Sequence, residues 1–359
     1  MHIIVLPFFS FHLSPGIYIK LTCLNASFRR LFGCYIYEGT RMRNGFCNPY
    51  IKKDSPESEI YVDSLAKCLE EISKYATPKQ IRQLKRDLQL DSGSFDEAKY
   101  IQAACETSVA ASIAYSYPDS FQYEPKLNPP TNFDCAFEAG GFKFNLEVKC
   151  PDYSMAVAQR SRDCFSIGAF GRMDDFPSLT SSLHEIFASG DKPLEVQQHM
   201  DNKLKDFLLS THKKSSPAAG ENELNVLVVC CDDPMDMQKW FYYMFGEQGL
   251  LTPKSFEPPK NYARVDTVIL TNLYHRHFSY KAKKVIRNHW DWSESFNLIF
   301  KNRSLPNIKD DAIWKLVDIL PNYSLEILNY DFEDIDKCFA IPAYVLKELL
   351  PKGKRHFEL

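Results

Sequence analysis

The stretch that decides the fold is "NFDCAFEAGGFKFNLEVKC", residues 132–150. Two runs rich in apolar and aromatic residues flank the pair Gly140-Gly141. Because both central positions of a two-residue hairpin turn take positive φ, consecutive glycines are typical of such a turn. With these glycines as the loop, opposing residues have numbers that sum to 281, so Phe137 faces Phe144. The stretch therefore predicts an antiparallel β-hairpin with an aromatic cross-strand pair.

Three charged residues interrupt this hairpin. In the predicted register Asp134 faces Glu147, and directly opposed residues have Cβ atoms about 4.5–5.5 Å apart. Side chains alternate along a strand, so Lys149 lies on the same face as Glu147. Opposed carboxylates repel each other, which favours a cation between them. Mg²⁺ is usually bound by one or two carboxylates, and it activates water and neutralises charge on a phosphate. The three residues therefore predict metal-dependent hydrolysis of a phosphodiester.

Composition sets the class of protein. The chain has 359 residues, of which 45% are apolar and 14% aromatic, so a folded globular protein is expected. The formal net charge is −3, so a polyanionic partner must meet a local basic patch. Eleven cysteines without a C-x-x-C spacing indicate reduced thiols and a cytoplasmic location. No apolar stretch is long enough to span a membrane, and no membrane partner is expected.

The order of the predicted elements gives the fold class. Helical periodicity, buried apolar runs and turn residues alternate along the chain. The predicted order is helices at 60–74, 77–90 and about 95–116, the hairpin, a helix at 193–213, a strand at 224–231, a helix at 234–245 and a strand at 264–272. This order predicts an α/β fold with a mixed β-sheet flanked by helices.

The same reading divides the chain into three parts. Residues 1–55 form an N-terminal extension, 56–292 the main domain, and 293–359 a mainly helical C-terminal extension. The first part is apolar, which allows a secretory signal, but it has no Lys or Arg before Lys20. An extension before a later start, or a strand pair added to the main fold, is the preferred interpretation.

Asp134, followed on the next strand by Glu147-Val148-Lys149, resembles the PD-(D/E)xK motif of the restriction-endonuclease-like nuclease superfamily. The resemblance covers roughly residues 95–275 and implies an αβββαβ core that cleaves nucleic acid with Mg²⁺, or Mn²⁺ as a substitute. In that family the Asp and the Glu hold the metal, the carbonyl of the middle residue (here Val148) helps, and the Lys assists the attacking water. The chain departs from the family pattern at Phe133, where the motif has Pro.

The Glu-x-Lys spacing alone is a weak signal. It occurs at 97–99, 124–126 and 147–149. The first lies in a predicted helix, and the second contains a proline that cannot join a central ladder. Only the third follows a strand with an Asp on the matching face. The alternative interpretation is an ordinary amphipathic hairpin whose charged face is solvated.

A fourth acid is predicted to join the metal site. Glu106 shares a face of the 95–116 helix with small and apolar residues, so it would be costly to bury without a cation. Many members of the superfamily place a Glu on the corresponding helix, and the resemblance implies the same role here. A Glu on the helix surface is the alternative.

Basic residues suggest where nucleic acid would bind. In the segment 273–290 they alternate with aromatic residues, which suits phosphate contacts and base stacking. The predicted contacts are Arg276, Lys281, Lys283, Lys284 and Arg287, with Arg160 and Arg162 added from the loop after the motif. A merely solvated charge run is the alternative.

Three functions are open at this point. The leading hypothesis is a Mg²⁺-dependent nuclease, specifically a DNA endonuclease, which would act as a homodimer if it cuts both strands. The second is a nucleic-acid-binding protein that keeps the fold without turnover. The third is a glycosidase, whose two carboxyl groups lie about 5–10 Å apart across a sugar cleft. The lysine beside the acids fits glycosidase chemistry poorly.

Overall fold

A computed structural model describes residues 17–20, 48–90, 93–153, 166–169, 200–305 and 309–358, and the single positions 172, 178, 181, 182 and 185. For 17–20, 166–169 and 335 only the backbone is considered. Arg160 and Arg162 lie outside the described residues, as does the predicted beginning of the helix at 193.

The described strands form two sheets. They are β1 (Ile17–Lys20), β2 (Gln122–Tyr123), β3 (Cys135–Ala139), β4 (Phe142–Lys149), β5 (Ser166–Ala169), β6 (Glu223–Cys230), β7 (Thr267–Thr271) and β8 (Asn297–Lys301). Strands β1 and β5 pair as a separate antiparallel ribbon. The other six form one sheet in the order β2-β3-β4-β6-β7-β8.

The six-stranded sheet is mixed. Strands β4, β6 and β7 are parallel neighbours, whereas β2–β3, β3–β4 and β7–β8 are antiparallel. The parallel strands in the middle are covered on both faces, which explains why β6 ends in the continuous apolar run "VLVVC", residues 226–230. The predicted α/β fold with a mixed sheet flanked by helices is therefore confirmed.

Helices cover both faces of this sheet. They are α1 (Pro56–Ser73), α2 (Pro78–Asp87), α3 (Glu97–Ser116), α4 (Asp201–Lys214), α5 (Pro234–Phe245), α6 (Leu273–His277), α7 (Asp310–Ile319), α8 (Ser324–Leu328), α9 (Asp334–Lys337) and α10 (Ala340–Tyr344), which a π-helical turn at Val345–Leu349 follows. Several begin with a capping side chain and a proline in the first turn, a combination that satisfies free N–H groups. Among the described residues no helix is long and apolar enough to cross a lipid bilayer.

Two hydrophobic cores lie on opposite faces of the sheet. The first contains residues of α1, α2 and α3 and the β4 side chains Phe144, Leu146 and Val148. The second contains residues of α4 and α5 and, from the C-terminal segment, Tyr344 and Phe357. Along β4 the charged residues alternate with the residues that face the first core. The charged side chains therefore point to the other face of the sheet, which α4 covers.

The segment after residue 292 is more closely integrated than the predicted mainly helical extension. It contributes β8, which is hydrogen-bonded to β7 over five residue pairs. Its helix α10 packs against α5. The predicted boundary at 292/293 therefore runs through one sheet and one core.

Candidate active site

The glycine turn sets the hairpin register that was predicted. Gly140 and Gly141 have φ angles of +59° and +82°. Phe137 pairs with Phe144, and their rings stack with centroids 5.0 Å apart. The ladder runs over five pairs and ends where Cys135 meets Leu146.

Asp134 lies one residue beyond this ladder and is fixed by backbone groups on both sides. Its N–H donates to the Leu146 carbonyl at 3.1 Å, and its carbonyl accepts from the Glu124 N–H at 3.0 Å. Its Oδ2 accepts a hydrogen bond from the Val148 N–H at 2.6 Å. The regular pairing predicted between Asp134 and Glu147 is thus replaced by an irregular one, in which the carboxylate lies against the edge of β4 at residues 147–148.

Glu147 is the buried anion of the site. It is fully buried and pairs with Leu227 of β6. Its Oε1 lies 2.5 Å from the Nζ of Lys149 and 2.5 Å from the Nζ of Lys214. Its Oε2 is buried and has no hydrogen-bond partner among the described residues. Since a buried carboxylate needs positive partners, the two ammonium groups account for one oxygen and leave the other available.

Lys214 is a site residue that the sequence interpretation missed. It is the last residue of α4, one position beyond the predicted end of that helix. A lysine in the last turn of a helix is common because it complements the helix dipole, so its position carries no separate signal. Only the packing of α4 against β6, the strand next to β4, brings it to Glu147.

The charges of the site shift the pKa values of its members. Burial, with the charges of Glu147 and Glu106, raises the pKa of Asp134 well above its usual range, although Lys149 and Lys214 oppose the rise. Burial by itself lowers the pKa of Lys149, but the charges of Glu147 and Asp134 raise it overall. Lys149 is therefore an ammonium group at neutral pH, and in this arrangement it supplies positive charge and hydrogen-bond donors.

Helix α3 brings Glu106 to the rim of the acidic pair. Gln102 Nε2 donates to Glu106 Oε1 at 2.9 Å. Burial raises the pKa of Glu106 to about 7, the Gln102 bond and Lys149 lower it, and Glu147 raises it. Glu106 therefore interacts electrostatically with the site while its side chain is held by Gln102. Its direct binding of a metal stays a prediction.

The carboxylates of Asp134 and Glu147 are the groups that could hold a divalent metal. In the described part of the chain no three His, Cys, Asp or Glu side chains converge closely enough to form a metal site, so a cage of three acids is not assembled. Mg²⁺, however, is commonly bound by one or two carboxylates, with water and phosphate as the other ligands. Asp134 and the unpartnered Oε2 of Glu147 are hard oxygen donors of this kind. The residues therefore fit a two-carboxylate Mg²⁺ site.

The Val148 carbonyl lies on the correct edge of β4 to join these donors. The Val148 N–H points toward Asp134, to which it is hydrogen-bonded. In an extended strand the N–H and C=O of one residue project from the same edge, as the paired bonds of antiparallel ladders show. The carbonyl predicted to help is therefore expected beside Asp134.

Tyr123 is a second residue that the sequence interpretation missed. It pairs with Cys135 in the β2–β3 ladder, one residue from Asp134. Burial and the charges of Glu124, Glu106 and Asp134 raise its pKa above the ordinary tyrosine range. Its hydroxyl therefore stays protonated, and its side chain packs against the first core close to the acids. No motif marked it, because β2 has only two residues.

The basic segment predicted to bind nucleic acid is largely tied to the protein itself. Arg276 is 2% exposed, and its guanidinium donates to the backbone carbonyls of Glu294 and Asn288. Lys281 forms an ion pair with Asp54 at 2.6 Å. A side chain buried in this way has no surface for a phosphate, so Arg276 is corrected to a structural role.

The remaining residues of that segment lie nearer the surface. Lys284 and Arg287 are exposed and Lys283 is half-buried, and Lys284 lies 3.9 Å from the carboxylate of Glu57. The aromatic residues among them belong to the first core: Tyr274, Tyr280 and Trp290 are buried, and the half-buried Phe278 packs against them. Base stacking on these rings is therefore not available, and the alternation of basic and aromatic residues reflects a core side and a surface side.

A second arrangement with the appearance of catalytic chemistry is structural. Both ring nitrogens of His277 are hydrogen-bonded, at 2.9 Å to the Tyr61 hydroxyl and at 2.9 Å to the Ser108 hydroxyl. All three side chains are buried. Burial also lowers the pKa of His277 well below its usual range. No substrate reaches this serine–histidine pair, which instead ties α6 to α1 and α3.

Comparison of the chain with protein-family models, with curated proteins and with solved structures gives no match.

Proposed function

We propose that this protein is a Mg²⁺-dependent nuclease that hydrolyses phosphodiester bonds in nucleic acid, and specifically a DNA endonuclease acting in the cytoplasm. The observation that carries the proposal is the buried Glu147 carboxylate beside Asp134, with Lys149 and Lys214 on one oxygen and no partner among the described residues on the other. Few structural roles explain a repelling acid pair with two ammonium groups at one end of a central strand.

Asp134 and Glu147 would hold the metal, with the Val148 carbonyl as a further ligand. When bound, Mg²⁺ would lower the pKa of a bound water molecule and neutralise charge that develops on the phosphate. The carboxylate of Asp134 is oriented for this by its bond from the Val148 N–H. A bound cation would lower the pKa of Asp134, which burial and the charges of Glu147 and Glu106 raise.

Lys149 and Lys214 would act on the phosphate and on the attacking water. As an ammonium group, Lys149 donates hydrogen bonds and stabilises negative charge on the phosphate oxygens. It also orients the water that attacks. Both lysines lie in a water-poor site, where such charge stabilisation is stronger than in bulk solvent.

The order of elements is compatible with this proposal. Along the chain α3, β2, β3, β4, α4 and β6 occur in the order helix, three strands, helix, strand, with β5 of the separate ribbon inserted between β4 and α4. That is the αβββαβ order implied by the resemblance to the restriction-endonuclease-like superfamily. Membership of that superfamily is part of the proposal.

A second candidate is a nucleic-acid-binding protein without catalysis. The observation that favours it is that Lys149 and Lys214 already compensate the negative charge of Glu147 without any metal. A carboxylate with two ammonium partners does not require a metal for stability. The two candidates differ in whether divalent metal binds and whether strands are cut.

The test is a nicking assay on supercoiled plasmid and on circular single-stranded DNA, with Mg²⁺, Mn²⁺ or EDTA. Wild type is expected to nick only with metal, and Asp134→Asn or Lys149→Ala to lower the rate by about 100-fold or more. Lys143→Ala is the matched control, because Lys143 lies on the same strand and face but pairs with Glu223 at the other end of β4. It is expected to leave the rate unchanged.

Three results decide between the candidates. Loss of nicking in the two site variants but not in the control supports the nuclease. Nicking that survives both site variants would assign the activity to other residues or to a contaminant. Binding of DNA without metal-dependent cutting by wild type would establish the second candidate. Sedimentation of the active protein with and without duplex DNA then tests the homodimer that double-strand cutting requires.

A further inference from the structure

Helix α2 presents a row of cations to solvent. Lys79, Arg82, Lys85 and Arg86 are all exposed. On the opposite side of the helix Leu84 is buried in the first core. The one acid of this helix is Asp87, whose Oδ1 accepts from Gln83 Nε2 at 2.7 Å. The exposed side of α2 is therefore strongly basic in a chain whose formal net charge is −3.

The half-buried side of α2, which lies behind its basic side, connects the helix to the acidic site. Gln80 Nε2 donates to Glu124 Oε2 at 3.0 Å, and the Glu124 N–H donates to the Asp134 carbonyl at 3.0 Å. Two hydrogen bonds thus connect α2 with the backbone of Asp134. At the end of the helix, the charge of Asp87 contributes to the raised pKa of Glu106, which places this end near the acids as well.

The cations of α2 differ from those of the 276–287 segment in their partners. There, Lys281 pairs with Asp54 and Lys284 approaches Glu57. By contrast, Lys79, Arg82 and Lys85 have no carboxylate partner among the described residues. Among the described residues Arg86 donates to the neutral Gln83, at 2.6 Å, and to no carboxylate. Neutralisation of these charges must therefore come from outside this part of the protein.

We propose that the exposed basic side of α2 binds the phosphodiester backbone of the nucleic acid that is presented to the Asp134–Glu147 site. This inference rests on the proposed function and specifies how its substrate is held. Each lysine or arginine that neutralises a phosphate releases condensed counterions, so binding weakens as salt concentration rises. Contacts of this kind position the strand without reading its sequence.

The experiment separates binding from cleavage by using the Asp134→Asn background without metal. In that background, the α2 variant combines Lys79→Gln, Arg82→Gln and Lys85→Gln. The matched control combines Lys352→Gln, Lys354→Gln and Arg355→Gln. It removes the same charge from exposed residues next to Phe357, which belongs to the core on the other face of the sheet. Fluorescence anisotropy with labelled duplex and single-stranded DNA is measured over a series of salt concentrations.

The α2 variant is expected to bind at least about tenfold more weakly at low salt. The slope of log K against log salt concentration should become less negative by about 2 to 3. The control variant should bind like its parent. In the otherwise wild-type protein the α2 substitutions should raise KM without changing kcat. The contacts that they remove stabilise the bound substrate and the transition state equally. Unchanged melting temperatures would show that the variants remain folded.

Two outcomes would overturn the inference. One is an α2 variant whose affinity and salt dependence match those of its parent. The other is a parent that binds neither DNA probe. Both are distinct from failure of the proposed function, which the metal-dependent nicking assay judges separately. A protein that nicks DNA normally with α2 neutralised would retain the proposed activity and lose only the assigned binding surface.

Discussion

Glu147 carries two ammonium groups on one oxygen, and this has a consequence for any metal that enters. A third cation at the same carboxylate meets repulsion from Lys149 and Lys214, so metal binding and lysine contact compete. Lys149 is attached to the same strand two residues away, whereas Lys214 projects from the end of α4. Lys214 is therefore the group expected to leave Glu147 for the phosphate when metal binds, and to act as an internal counter-ion of Glu147 while metal is absent.

Replacing Lys214 with Met is expected to change stability and metal affinity in opposite directions. Without metal, Glu147 keeps only Lys149, and the protein should lose about 1 to 3 kcal/mol of unfolding free energy, less than for a buried charge left entirely alone. Mg²⁺ should bind several-fold more tightly, because one competing cation is gone. Urea unfolding and titration calorimetry measure the two effects. Lys213→Met, at the exposed neighbouring position, is the control, and equal effects in both variants would contradict the internal counter-ion.

Asp236 gives a pH-dependent prediction away from the site. Its Oδ2 accepts from the Tyr153 hydroxyl at 2.5 Å and from the Asp232 N–H at 3.1 Å. Burial and the charge of Asp233 raise its pKa from an ordinary 3.8 to about 7. The folded protein thus holds a proton that the unfolded chain releases. The stability that this proton contributes is full below the ordinary pKa and is lost as pH rises to the folded value.

The unfolding free energy of wild type should therefore fall as pH rises from the ordinary to the folded pKa of Asp236. In Asp236→Asn this decrease should be absent. At neutral pH the variant is expected to be more stable than wild type, by up to about 4 kcal/mol. Urea unfolding at a series of pH values measures the slopes. Asp206→Asn, whose carboxylate is exposed on α4, should leave the slope unchanged. A variant with the same slope as wild type would show that Asp236 is ionised in the folded protein.

At the scale of single elements, the sequence was sufficient to predict features that depend on interactions between neighbouring residues. The hairpin register followed from two glycines and strict alternation, and five ladder pairs confirm it. The irregular position of Asp134 could not be predicted, because it depends on hydrogen bonds to Glu124 and Val148 from different strands. Lys214 was missed for a similar reason: its role depends on where α4 ends against β4.

The turn of this hairpin provides a prediction for an element. Gly141 has φ +82°, and a Cβ added there would meet no atom within 4 Å. Any loss of stability in Gly141→Ala therefore comes from backbone conformation, which costs about 1–2 kcal/mol for an L-residue in the left-handed region. Asn tolerates that region better, so Gly141→Asn should lose less. Thermal unfolding of both variants measures the difference, and equal losses would mean that the turn rearranges.

For the whole molecule, the sequence predicted the class of the sheet but not how the chain closes around it. The segment 293–359 was expected to be an addition, yet it supplies β8 and part of the second core. The 273–290 segment was expected to be a basic surface, yet Arg276 and Trp290 are buried in it. Both differences concern contacts between residues far apart in the chain, which periodicity within a short window does not contain.

Binding of metal should stabilise the whole molecule against unfolding. If Asp134 and Glu147 bind Mg²⁺ in the folded state alone, unfolding free energy should rise by about 2.7 kcal/mol when free metal reaches about 100 times Kd. Asp134→Asn should abolish the rise. Glu106→Gln tests the third acid, since a direct ligand would weaken the response, whereas an acid at the rim leaves most of it. Sodium chloride at matched ionic strength controls for screening.

A melting temperature that responds to neither Mg²⁺ nor Mn²⁺ would contradict the metal site. In that case the charge balance of Glu147 with Lys149 and Lys214 is the complete arrangement, and the acid pair has no role in cleavage. Stabilisation of wild type together with loss of the response in Asp134→Asn would place the ion at the end of β4. Because this readout does not require any substrate, it tests the metal site independently of whether the correct nucleic acid has been found.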